Sequence, residues 1–172
     1  FGIDWQGSNF TVSPRIFYQA VDDYIQGTIS SNTAAVMFVQ MMNTMNGTNN
    51  QSPLEFNNVD ARFFGFDVDW RYELNERWSL NGIVNYVRAE RDDISDDLYR
   101  VAAPNALIAL HYTQPTWSVS LESFVYDGQN NVSNTNSETP SQGYALLNLK
   151  GSWQIVDGLK LGFGVDNVTD KK

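Results

Sequence analysis

Phe64-Gly65-Phe66-Asp67-Val68-Asp69-Trp70-Arg71-Tyr72-Glu73-Leu74-Asn75-Glu76-Arg77-Trp78-Ser79-Leu80-Asn81-Gly82-Ile83-Val84-Asn85-Tyr86-Val87 is the stretch that decides the fold. Its first half places Phe64, Phe66, Val68, Trp70, Tyr72 and Leu74 at one set of alternate positions and Gly65, Asp67, Asp69, Arg71 and Glu73 at the other. Asn75-Glu76-Arg77 interrupts the run. Alternation then resumes, with Trp78, Leu80, Gly82, Val84 and Tyr86 set against Ser79, Asn81, Ile83, Asn85 and Val87. A period of two describes strands with one apolar and one wetter face. Two such runs joined by a tight polar turn make an antiparallel hairpin. Each run lasts about nine residues or more, the length a tilted strand needs to cross a bilayer, whereas strands in globular proteins usually run about 5–6.

The same pattern recurs on both sides of this hairpin. Phe10, Val12, Pro14, Ile16, Tyr18 and Ala20 form one apolar set, and Ala106, Ile108, Leu110 and Tyr112 another. Further sets are Trp117, Val119, Leu121 and Val125, then Ala145, Leu147, Leu149 and Trp153, then Leu159, Leu161, Phe163 and Val165. With a short start at Phe1–Trp5, the periodicity predicts about eight strands. Tight turns fall at 7–9, 75–77, 114–116 and 156–158, and long polar connections at about 27–58, 91–104 and 128–142. Short and long alternate, so an antiparallel sheet collects all long loops on one side, as transmembrane barrels do. Trp5, Trp70, Trp78, Trp117 and Trp153 all lie within a few residues of a short turn. That places them at one height, like the aromatic girdle of a membrane interface.

Composition agrees. Aromatic residues make up 13% of the chain while mean hydropathy is −0.36, a mixture suited to one lipid face and one wet lumen. A soluble β-sandwich has similar composition, but no reason to confine tryptophan to one end of its strands. The net charge of −9 argues against nucleic acid as a partner. The lack of cysteine excludes disulfides and thiolate metal sites. No stretch approaches the roughly 18 apolar residues of a membrane-spanning helix. No basic n-region or apolar h-region opens the chain, so a secretion signal is expected upstream of Phe1 or not at all.

All four methionines, Met37, Met41, Met42 and Met45, fall in the first long loop. Ser31 or Asn32 is placed to cap a helix running to Gly47, which puts Met37, Met41 and Met45 on one face. Thioethers suit Cu(I), so this loop is a candidate ligand-binding element. The ordinary reading is that the methionines pack a loop core with Val36, Phe38 and Val39. Glu90, Asp92, Asp93, Asp96 and Asp97 are expected to form a solvated acidic loop beside Arg88, Arg91 and Arg100. A Ca²⁺ site is the sharper alternative, although the spacing lacks the glycine of an EF-hand.

Arg15, Asp67, Asp69, Arg71, Glu122, Lys150 and Lys160 are assigned to the lumen, where water or one another would satisfy them. His111 has no partner for a triad or a metal set and reads as structural. Glu122 with Asp67 or Asp69 is the one carboxylate pairing a glycosidase would use, and the spacing gives it no support. No catalytic residue and no cofactor are expected, and the chain is read as not an enzyme.

Four motifs, in order along the chain, carry a resemblance. They are Phe17-Tyr18-Gln19-Ala20-Val21-Asp22-Asp23-Tyr24-Ile25, then Val59-Asp60-Ala61-Arg62-Phe63-Phe64-Gly65-Phe66-Asp67, then Tyr99-Arg100-Val101-Ala102-Ala103-Pro104-Asn105, and Gly162-Phe163-Gly164-Val165-Asp166-Asn167-Val168-Thr169-Asp170-Lys171-Lys172. Together they resemble the C-terminal part of the TonB-dependent outer-membrane receptor barrel. The resemblance implies an all-β, antiparallel up-and-down transmembrane barrel. Residues 1–172 would be a partial arc of a 22-stranded wall, with the plug domain and the final strand outside it. It further implies a place in the bacterial outer membrane, contact with lipid, and coupling to the TonB complex through the plug segment. The implied function is uptake of a metal chelate, by default an iron-siderophore. Copper uptake through the methionine loop and a passive porin are the alternatives.

Overall fold

The computed structural model describes residues 1–171. Eight strands and one helix follow one another: β1 (Trp5–Gln6), β2 (Phe10–Ile29), α1 (Thr33–Asn46), β3 (Leu54–Glu73), β4 (Trp78–Arg91), β5 (Asn105–Thr113), β6 (Trp117–Tyr126), β7 (Tyr144–Val156) and β8 (Leu159–Val165). They form one open sheet in sequence order, every neighbour antiparallel. The Phe64–Leu74 and Trp78–Val87 runs pair as the hairpin that the alternation predicts, with Tyr72 opposite Leu80 and Phe66 opposite Tyr86.

Registers across all eight strands keep the apolar sets on one face. Ile16, Phe66, Ile108, Leu121, Leu149 and Phe163 are on it and exposed. Large apolar side chains left open over a whole sheet face mark a surface meant for lipid or another apolar partner. The aromatic residues at the short-turn end touch across strands: Trp78 lies 4.6 Å from Tyr112 between ring centroids, and Tyr112 lies 5.3 Å from Trp117. Trp117 pairs with Trp153 in the ladder. Glycine makes room for this belt at Gly82, where a Cβ would meet the Trp70 indole at 2.6 Å.

Two strands are longer than the alternation implied. β2 and β3 each have 20 residues, so their pairing runs to Ile29 and Leu54 and the first loop spans only 30–53, within the expected 27–58. A β-bulge explains the difference. The register shifts between Val21 and Tyr24, and Asp23 adopts a left-handed φ of 58°. One extra residue reverses which face each later side chain meets, so Tyr24 points inward where the earlier parity would send it outward. At roughly 3.3 Å per residue, a tilted 20-residue strand rises well beyond the roughly 25 Å apolar band of an outer-membrane barrel. The β2–β3 hairpin is therefore long enough to project past an apolar band of that height on the long-loop side.

The external mouth and the methionine helix

At the projecting end the wall has a small core of its own. Val59, Ala61, Ala89 and Leu98 are buried together, with Tyr24, Phe63 and Val101 packed around them. The loop after β4 (92–104) supplies Leu98 and Val101 and folds over the inner face of β2, β3 and β4. Its amides find partners there: Leu98 N donates to Ala89 O, and Tyr99 N donates to the buried Gln26 Oε1.

Asp96 fastens this loop to the one after β6 (127–143). Its carboxylate accepts from the backbone amides of Asn134 (2.8 Å) and Thr135 (3.0 Å), and from the hydroxyls of Ser133 (3.0 Å) and Thr135 (2.7 Å). Asn134 Nδ2 adds a longer bond of 3.2 Å. Asp96 is buried and Ser133 is wholly so. Burial alone would raise the carboxyl pKa, but the donors of 133–135 outweigh it and hold the group down to about 2. Arg100 N donates to Glu138, whose other oxygen accepts from Ser133 N. Gln129 reaches the carbonyls of Val101 and Ala102. From the first loop, Gln51 contacts the Tyr99 hydroxyl and accepts from Arg100 at 3.0 Å.

The acidic loop is thus only partly the solvated element expected from sequence. Asp96 is inside a donor cradle, and Glu90, Asp92 and Asp97 face guanidinium groups. Arg62 bonds Glu90 at 2.9 Å and Asp92 at 3.1 Å, while Arg88 bonds Glu90 at 2.8 Å. Of the cations named from sequence, Arg88 belongs to this group, Arg91 pairs with Asp93, and Arg100 instead bridges the other two loops. Arg62, Arg88, Glu90, Arg91, Asp92, Asp96 and Asp97 line an open polar cleft of about 510 Å³ on the outer end of β3 and β4. Among the described residues, no three His, Cys, Asp or Glu side chains gather as a metal set.

The helix in the first loop forms between the anticipated caps. Asn32 Oδ1 accepts from Ala35 N at 3.2 Å, and Gly47 closes the other end in the left-handed region at φ 62°. Asn43 secures the exit, accepting from Asn50 N and Thr48 Oγ1 and donating to Asn50 O. Within residues 1–171 the methionines do not pack the expected loop core. Met37, Met41 and Met45 are 62%, 49% and 72% exposed, and α1 has no buried residue. Only Met42, on the side of Val36 and Val39, is half-buried. Among the described residues nothing is laid across the second face of this helix, so they form no core there.

Lower in the wall, Arg15, Arg71 and Lys150 are each paired with a carboxylate. Lys150 bonds Glu122 at 2.7 Å and Arg71 bonds Glu73 at 2.6 Å; Arg15 is opposite Asp67 in the ladder and bonds Asp4. Asp69 stands opposite Ser13, and Lys160 opposite Gln154. His111 contacts Asn81 Oδ1 and lines a polar hollow with Ser79, Ser118, Ser120 and Ser152. Glu122 lies three strands from Asp67 and Asp69, roughly 14 Å at the interstrand spacing, too far for a glycosidase pair.

An all-antiparallel wall with one lipid-type face, an aromatic belt at the short turns and joined long loops at the other end narrows the family sharply. The sequence matches the family model described as TonB dependent receptor-like, beta-barrel, over residues 1–168. The chain belongs to the TonB-dependent receptors, as part of their β-barrel. No curated protein matches it.

Solved structures repeat the receptor fold. The copper transporter OprC aligns over 99% of this chain and 24% of its own, at 21% identity and a TM-score of 0.82. The ferric yersiniabactin uptake receptor FyuA from Yersinia pestis aligns over 99% and 24%, at 17% identity and a TM-score of 0.67. The pyoverdine receptor FpvA from Pseudomonas aeruginosa PAO1 aligns over 99% and 25%, at 16% identity and a TM-score of 0.63. The chain spans about a quarter of each of these structures. TonB-dependent receptors are outer-membrane proteins, and the exposed apolar face of this sheet is suited to lipid.

Proposed function

We propose that this chain forms part of the wall and external mouth of an outer-membrane importer for a metal, taken up free or as a chelate. TonB energises the import through parts of the receptor outside residues 1–172. The observation that carries the reading is α1, an uncharged helix at the mouth with three methionines on its open face. A passive pore has no use for such an element, whereas thioethers are ligands for soft metals. Copper is therefore the favoured cargo. Kinship in fold with the copper transporter OprC is compatible with this, but at 21% identity it speaks only to fold.

A ferric siderophore is the second reading, favoured by the ferric yersiniabactin and pyoverdine receptors among the fold relatives. The test compares cells carrying and lacking the full-length receptor, with TonB intact or deleted, for accumulated copper and iron by mass spectrometry. Copper uptake that requires both receptor and TonB supports the favoured cargo. Iron uptake that requires both, with a siderophore supplied, moves the assignment to the second reading. Accumulation of both metals independent of the receptor refutes metal import.

A further inference from the structure

We propose that Met37, Met41 and Met45 form a two-step thioether site for one Cu(I) ion, with Met41 common to both steps. The argument starts from spacing. Residues four apart on a helix share a face about 6 Å apart along the axis, so Met37 and Met45 are about 12 Å apart and do not share an ion. Neighbouring methionines do. Each side chain has three rotatable bonds, enough to bring the sulfurs of 37 and 41, or of 41 and 45, onto one ion.

The surroundings favour a soft cation. From Ser30 to Pro53 the sequence holds no Asp, Glu, Lys or Arg, so no carboxylate competes as a hard ligand and no fixed charge repels a cation. All three sulfur-bearing side chains are exposed, and α1 packs on no strand. The caps at Asn32 and Gly47 fix the helix and hence the spacing. Two thioethers leave the ion's other positions open to water or to an incoming ligand, which suits capture and release over storage. An ion at 37/41 reaches 41/45 by exchanging one sulfur, with no change in oxidation state.

This inference rests on the importer reading for its purpose, but its test is independent of transport. Full-length receptor in detergent is titrated with Cu(I) under anaerobic conditions against a chromogenic Cu(I) chelator. Wild type is compared with Met37→Leu, Met41→Leu, Met45→Leu, the triple Leu variant and Met42→Leu. Leucine keeps helix propensity and volume, and circular dichroism checks the fold. The expected result is about one more Cu(I) bound by wild type than by the triple variant.

Met41→Leu should weaken that ion at least about tenfold, because it breaks both steps. Met37→Leu and Met45→Leu should each cost only about twofold, because one step survives, and Met42→Leu should change nothing. Equal Cu(I) binding by wild type and the triple variant would overturn the site and leave α1 as an apolar contact face. Equal losses at all three positions would overturn the two-step arrangement. If copper import requires the receptor while the triple variant binds like wild type, the importer reading stands and this site falls. If the site behaves as expected but copper import does not require the receptor, the site stands and the copper cargo of the importer falls.

Discussion

One aspartate decides how the mouth behaves. Asp96 is the carboxylate that 133–135 surround, and its depressed pKa has a definite consequence for pH. A group whose folded pKa lies below its unfolded value stabilises above the unfolded value, near 3.8, and that contribution is lost as pH falls through the folded value, about 2. The junction between the two loops should therefore be indifferent to pH from neutrality to about 4 and loosen between about 4 and 2. Asp96→Ala should lose it at every pH, at a local cost on the order of 1–2 kcal/mol. Hydrogen exchange of the full receptor checks both statements: the amides of Asn134 and Thr135 should exchange faster in the variant while the strands stay protected. Unchanged exchange there would mean that the loops hold without the aspartate.

Among the elements, α1 and the β2–β3 hairpin set the terms. A 14-residue helix with no strand packed on it among the described residues is marginal in water, so its caps matter more than usual. Asn32→Ala should cost the helix about 1 kcal/mol, and Gly47→Ala a similar amount by placing a Cβ at positive φ. Both should appear as faster exchange confined to residues 33–46, with the strands unaffected.

How much of this was legible varied by element and for physical reasons. The strands below the bulge were readable because every residue alternates between lipid and lumen, as in Phe64–Leu74. The upper half of β2 was not, because Asp22-Asp23 adds a residue and reverses the pattern at Tyr24. α1 was readable from Asn32, Gly47 and the i, i+4 methionines. Whether those methionines were covered was not, since that depends on what other loops do. Asp96 read as one acid among five because its donors lie 37–39 residues away. The only local hint was the donor-rich run Ser133-Asn134-Thr135-Asn136.

For the molecule as a whole, the two faces of the sheet make opposite demands. Leu121, on the lipid face, should tolerate a charge badly: Leu121→Arg is expected to cost about 2–4 kcal/mol in a bilayer if it lies near the midplane. Asn85, on the lumen face opposite Asp67, should accept lysine within about 1 kcal/mol, since water and an adjacent carboxylate receive the charge. Denaturant unfolding of the full receptor in lipid vesicles separates the two. Comparable losses would contradict the assignment of faces.

The chain also has an uneven distribution of cleavable bonds. No lysine or arginine occurs between Arg15 and Arg62, and the projecting hairpin with its helix lies wholly inside that gap. A trypsin-type protease acting on intact cells has no bond to cut there, however exposed the segment is, whereas an enzyme that cuts after Phe or Met finds Phe38 and its neighbours at once. This projecting hairpin is thus shielded from one digestive chemistry and open to another, and surface shaving with the two enzymes in parallel would map it directly.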